Sequence, residues 1–127
     1  MHLYTNLMFQ SYHHIQIAIP ARSEVIARTF YVETLGFEEV RKPAALIKNG
    51  GLWLRSGKVE LHLGIDPDFI PARKAHPALQ VKDLDTFLSG LTKGIKYPER
   101  HKDIPGLERI FLFDPFGNRI EIIASLD

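Results

Sequence analysis

Cysteine is absent from all 127 residues. That excludes a disulfide framework, a thiolate metal site and a cysteine nucleophile, and leaves any metal to histidine and carboxylate ligands. Long apolar runs are also missing. No window approaches the roughly 18 continuous apolar residues of a membrane span, and the opening "MHLYTNLMFQSY" lacks the basic start and apolar core of a signal peptide. A cytoplasmic location without a membrane partner is therefore expected. Charge of one sign is not in excess: 16 Lys and Arg face 15 Asp and Glu, a net charge of +1, which gives no reason to expect nucleic acid as a partner. The chain has no glycine-rich phosphate loop and no Ser/His/Asp grouping with a nucleophile signature. It does have an ordinary globular composition, 45% hydrophobic and 24% charged, at a length suited to one domain with a real core.

The pattern of alternation supplies the architecture. In "HHIQIAI", Ile15, Ile17 and Ile19 share one face while His14, Gln16 and Ala18 share the other, as in a half-buried strand. Pro20 stops it. "SEVIARTFYVETLG" then predicts a helix with a Ser23 cap, i,i+4 pairs Ile26/Phe30 and Tyr31/Leu35, and Gly36 as terminator. Three strand-like runs follow, "FEEVRK", "GLWLRS" and "KVELHLG", separated by Pro43, the Asn49-Gly50-Gly51 turn signal and Gly57. The proline-rich, charged stretch from Asp66 to Ala75 reads as a linker.

Beyond the linker the order repeats. "HPALQV" alternates like the first strand, with His76, Ala78 and Gln80 on one face, and "KDLDTFLSGLTKG" predicts a helix capped by Asp83, with Leu84, Phe87, Leu88 and Leu91 inward, Gly90 in its interior and Gly94 as stop. "IKYPE", "LERIFLF" and "RIEIIA" supply three more strands. The fold class is thus α+β: two tandem βαβββ modules forming a cupped, mostly antiparallel sheet with helices on the outer face. Residues 1–12 are an N-terminal extension and 13–127 a single domain, with module one at 13–65, the linker at 66–75 and module two at 76–124.

The repeat also singles out chemistry. His76 follows His14 by 62 positions and Glu121 follows Glu60 by 61, so a histidine opens the first strand and a carboxylate interrupts the last strand of each half. Each lies opposite an aliphatic stripe. Taken singly, such residues are what a solvated strand face carries; their joint recurrence is what a solvated face has no reason to produce. If the helices cover the aliphatic faces, His14, Glu60, His62, His76 and Glu121 line a cup, and two imidazoles with two carboxylates suit one divalent ion, Zn, Ni, Co, Mn or Fe(II). His62 shares the face of Glu60, and is either an alternative ligand, a hydrogen-bond partner or a substrate contact. By parity His13 points toward the aliphatic side, as a strand-edge or packed histidine. His2 and His101 read as surface residues. Arg109 and Trp53 are candidate substrate contacts. The basic cluster of Arg73 and Lys74, with Arg55, reads as ordinary surface charge.

With "HHIQIAI", "FYVETLGF", "HPALQV" and "DPFGNRIE" in this order, the chain resembles the vicinal oxygen chelate superfamily: glyoxalases, bleomycin-resistance proteins, fosfomycin-resistance proteins and extradiol dioxygenases. The likeness runs from about His13 to Ala124 and is nearest to small bacterial glyoxalase-like proteins. It implies metal ligands His14, Glu60, His76 and Glu121, with Glu60 and Glu121 also candidates for proton transfer. It implies a metal-dependent lyase or isomerase, thiol transferase or dioxygenase chelating vicinal oxygens of a small molecule, and a homodimer. The alternative is a metal-free protein that sequesters a compound, as bleomycin-resistance proteins do.

Overall fold

A computed structural model describes residues 8–91 and 98–127. The first strand, β1 (Ile15–Ile19), leads into helix α1 (Glu24–Arg28), which widens without a break into a π-helical turn over Thr29–Thr34. Then come β2 (Glu38–Val40), a 3-10 helix (Ala44–Asn49), β3 (Leu52–Ser56) and β4 (Val59–Ile65). The second half contributes β5 (Ala78–Gln80), α2 (Leu84–Ser89), β6 (Leu107–Phe113) and β7 (Arg119–Ser125).

The strands divide by halves into a four-stranded sheet, order β1-β4-β3-β2, and a three-stranded sheet, order β5-β7-β6. In both, the first strand lies parallel to the last and the remaining pairs are antiparallel. The α+β reading of two strand-helix-strand units holds. The strand expected at "IKYPE" and the stop at Gly94 fall wholly or largely outside the described residues.

One apolar core joins the halves. Ile17 and Ile19 from β1, Leu52 and Leu54 from β3, Leu61 and Leu63 from β4, Ile110 and Leu112 from β6, and Ile120 and Ile122 from β7 are buried together with Ala27, Tyr31, Leu84 and Leu88 of the helical segments. Every buried strand residue in this set belongs to the aliphatic stripe that alternation defines. Full burial of a Leu or Ile stabilises by about 1.5–3 kcal/mol, enough to fix which face of each strand turns inward. The halves are also tied by polar contacts: the Tyr31 hydroxyl donates to Asp114 Oδ2 at 2.7 Å, and Asn118 Nδ2 donates to the Ala18 carbonyl at 2.9 Å.

Local details differ from the sequence reading. Ser23 precedes α1, but its hydroxyl donates back to the Pro20 carbonyl and does not cap the helix. The π turn, seen in the Leu35 N–H reaching the Phe30 carbonyl at 2.9 Å, accompanies a changed inward stripe: Ala27 and Tyr31 are buried while Ile26 is exposed. In the second half Asp83 does cap, accepting from the backbone N–H groups of Asp85 and Thr86. Gly90 closes α2 as its C-cap and does not lie in its interior. The 3-10 helix after Pro43 has no counterpart in the sequence reading; its residues are all exposed, so no apolar period marks it.

Candidate metal and substrate site

Because β3 and β4 bury Leu52, Leu54, Leu61 and Leu63, the intervening residues Trp53, Arg55, Glu60 and His62 share the other face. Register brings them into pairs. Trp53 stands directly opposite His62, and Arg55 opposite Glu60. The indole stacks on the His62 ring at 4.1 Å and 5°, and His62 stacks on His14 at 4.1 Å and 19°. Burial is the main cause holding the His62 pKa below its ordinary value, with His14 adding to it. Glu60 accepts from Arg55 Nε at 2.7 Å, and this hydrogen bond lowers its pKa below the usual carboxylate value. Glu60 Oε2 lies 3.8 Å from His62 Nε2, too far for a hydrogen bond. These groups line a concave cavity of about 1020 Å³ with Gln16, Arg41 and Lys42.

The second sheet holds a tighter arrangement. Ala78 of β5 pairs with Glu121 of β7, and the Glu121 N–H donates to the Pro77 carbonyl at 3.0 Å, which brings His76 beside the Glu121 carboxylate. His76 Nε2 lies 3.0 Å from Glu121 Oε1, and His76 Nδ1 lies 2.7 Å from the Lys74 carbonyl. A carbonyl only accepts, so Nδ1 carries the proton and Nε2 faces the carboxylate. The other carboxylate oxygen of Glu121, a residue only 5% exposed, is 3.4 Å from Arg109 Nη1, and Arg109 also pairs with Asp103 at 2.9 Å. Phe111, directly across from Glu121, has the guanidinium carbons of Arg109 and Arg119 at 5.2 and 5.5 Å from its ring centroid.

The four expected ligands thus stand as two groups. His14, Glu60 and His76 all border one cavity of about 490 Å³, with Glu121 in contact with His76. Yet among the described residues no group of three or more His, Asp or Glu is close enough to hold one ion. His14 and Glu60 come with the first sheet and His76 and Glu121 with the second, and the four do not close into one cluster among the described residues. The His76–Glu121 pair fits half of a metal site: one imidazole nitrogen and one carboxylate oxygen, with the imidazole oriented by a backbone carbonyl, as ligating histidines are. His13 is exposed, its Nδ1 2.9 Å from that of His14; it lies two residues before β1, and the core face begins with Ile15. His101 is not a plain surface residue. It forms a β-bridge with Arg109 and sets its half-buried ring 5.6 Å from Phe111, a contact no local pattern encodes. Arg119, two positions before Glu121, shares that residue's face, a signal that the two-residue strand period carries.

No protein-family model matches the chain, and no curated protein sequence matches it. Solved structures do. A glyoxalase family protein from Bacillus anthracis shares 40% identity over 94% of this chain and 98% of its own, with a TM-score of 0.88. This chain belongs to the glyoxalase family. The wider vicinal oxygen chelate fold is shared with FosX, a genomically encoded fosfomycin resistance protein from Listeria monocytogenes (13% identity, 93% and 95% coverage, TM-score 0.70), and with a bleomycin-binding protein solved with bleomycin (21% identity, 91% and 99%, TM-score 0.62). At such identities the likeness is one of fold alone. In this glyoxalase family chain, no helix among the described residues is long and apolar enough to cross a membrane.

Proposed function

We propose that the chain is a divalent-metal-dependent enzyme acting on a small, oxygen-rich molecule, and that His76 and Glu121 form the nucleus of its ligand set. The observation that carries this reading is the geometry of His76. With its Nδ1–H committed to the Lys74 carbonyl, its Nε2 confronts a carboxylate oxygen at 3.0 Å, an arrangement that requires a proton or a metal cation between them. His14 and Glu60, which line one cavity together with His76, complete the set in a homodimer whose second copy closes the wall. When bound, the ion supplies Lewis acidity to chelated vicinal oxygens of the substrate. The chain's own residues do the rest. Glu60, kept ionised by Arg55, is available to accept a proton. Arg109 steadies the far oxygen of Glu121, and Trp53 with His62 forms a flat wall for the substrate.

A second reading has its own support. Both carboxylates are already engaged by arginines, no third donor joins His76 and Glu121 within the described residues, and the Trp53–His62–His14 stack offers an aromatic platform in the large cavity. Those features suit a metal-free binding protein. Chelator-treated protein reloaded with Zn, Ni, Co, Mn or Fe(II) and measured by elemental analysis separates the two. The enzyme reading expects one ion per chain, lost in His76→Ala and in Glu121→Gln; no retained metal after reloading favours the binding protein. Sedimentation of the same samples checks the dimer.

A further inference from the structure

Arg109 and Arg119 flank the same phenyl ring but differ in their partners. Arg109 is bound by Asp103 and Glu121. Arg119 has only the Phe111 ring, and no carboxylate pairs with it among the described residues. It is half-buried, so its charge is partly withdrawn from water without a compensating anion. A guanidinium in that position is stabilised by an anion whose oxygens accept two parallel N–H hydrogen bonds from it.

Arg119 lines a cavity of about 320 Å³ whose wall also includes Gln16, Ile17, Ile70, His76 and Asn118. None of the residues lining that cavity is an Asp or Glu, and the exposed Arg73 and Lys74 lie between two of its lining residues, Ala72 and Ala75. The charge that the lining side chains themselves contribute is therefore positive. Arg119 and Glu121 are two residues apart on one strand face, roughly 7 Å along β7, so a short molecule can meet the guanidinium and the His76–Glu121 pair together. The volume sits at the small end of ligand pockets.

We propose that Arg119 is the anion-binding, specificity-determining residue of this site, and that its ligand is a small organic acid whose carboxylate or phosphonate pairs with the guanidinium while its other oxygens face His76. This rests on the reading of His76 and Glu121 as the reacting centre. Apolar side chains of Ile17 and Ile70 accommodate the carbon skeleton.

The test is calorimetric titration of the protein with succinate, methylphosphonate and uncharged succinamide, using wild type, Arg119→Gln and Arg119→Lys, with metal content measured on the same samples. Wild type is expected to bind an acid and not the amide. Arg119→Gln should weaken that binding about tenfold or more, and Arg119→Lys should restore part of it because the charge survives while the paired donors do not. Whichever acid binds more tightly identifies the anionic group. Equal affinity for succinate and succinamide, failure to bind either acid, or acid binding unchanged in Arg119→Gln overturns the proposal. Near-UV circular dichroism verifies the fold of each variant, and the Lys variant decides if the Gln variant misfolds. Metal retained with Arg119-independent acid binding refutes this inference alone. Arg119-dependent acid binding without metal refutes the metal-enzyme reading alone.

Discussion

Removing the Tyr31 hydroxyl should cost about 2 kcal/mol, and the cost should depend on pH. Tyr31 is fully buried, and Asp114 is only 4% exposed. The carboxylate of Asp114 accepts four hydrogen bonds: Oδ2 from the Tyr31 hydroxyl at 2.7 Å and Asn118 Nδ2 at 2.8 Å, Oδ1 from the backbone N–H groups of Phe116 at 2.9 Å and Asn118 at 2.8 Å. A hydrogen bond to a charged group contributes about 1.5–3 kcal/mol. Tyr31→Phe keeps the ring packing and leaves three donors in place, so a value near the middle of that range is expected. In urea this lowers the unfolding midpoint by about 1 M at unchanged slope, and in a thermal scan it lowers the midpoint by roughly 6–10 °C.

The sign of the pH effect follows from the raised pKa of Tyr31, caused first by burial and then by the Asp114 charge. Below pH 10 the hydroxyl is protonated in both folded and unfolded chains, and its stabilisation is fully present. Above pH 10 the unfolded chain releases a proton that the folded chain retains, so this group's contribution falls by about 1.4 kcal/mol per pH unit. The gap between wild type and Tyr31→Phe should thus be widest below pH 10 and shrink above it. A gap under about 0.5 kcal/mol, or one that stays constant to pH 11, would refute the reasoning.

Two other expectations concern the same walls. At Gly51, with φ of +80°, a Cβ would lie 2.1 Å from the Leu63 carbonyl oxygen, whereas at Gly64 it would meet the movable end of Gln16 at 2.8 Å. Urea unfolding should therefore show Gly51→Ala destabilised by more than about 2 kcal/mol and Gly64→Ala by well under that. The chain has one tryptophan, stacked on His62, so Trp53 emission in chelator-treated protein should fall as His62 gains its proton. Because burial depresses that pKa, the midpoint should lie below the ordinary value of about 6.5, and His62→Gln should abolish the transition. The associated stability is present above that ordinary value and declines as pH falls.

Strand alternation made much of this molecule legible. Ile17, Ile19, Leu61, Leu63, Ile120 and Ile122 face the core as their spacing requires, and Asp83 caps α2 through a purely local contact. Ser23 was a weaker signal, because a serine hydroxyl can equally turn back to an upstream carbonyl, and it does. The widened π turn escaped the helical pattern since Ile26 and Tyr31 are both apolar; only packing chooses between them.

The sequence by itself determined the repeated strand–helix–strand pattern and the side of each strand on which His14, Glu60, His62, His76 and Glu121 lie, because a two-residue period is a property of the backbone. Which of them meet is another matter. His76 joins Glu121 through the parallel pairing of β5 with β7, His14 joins His62 beside Trp53, and the two groups belong to different sheets. Contacts between residues 45 positions apart are set by strand register and by packing around a shared core, and no local spacing carries that information.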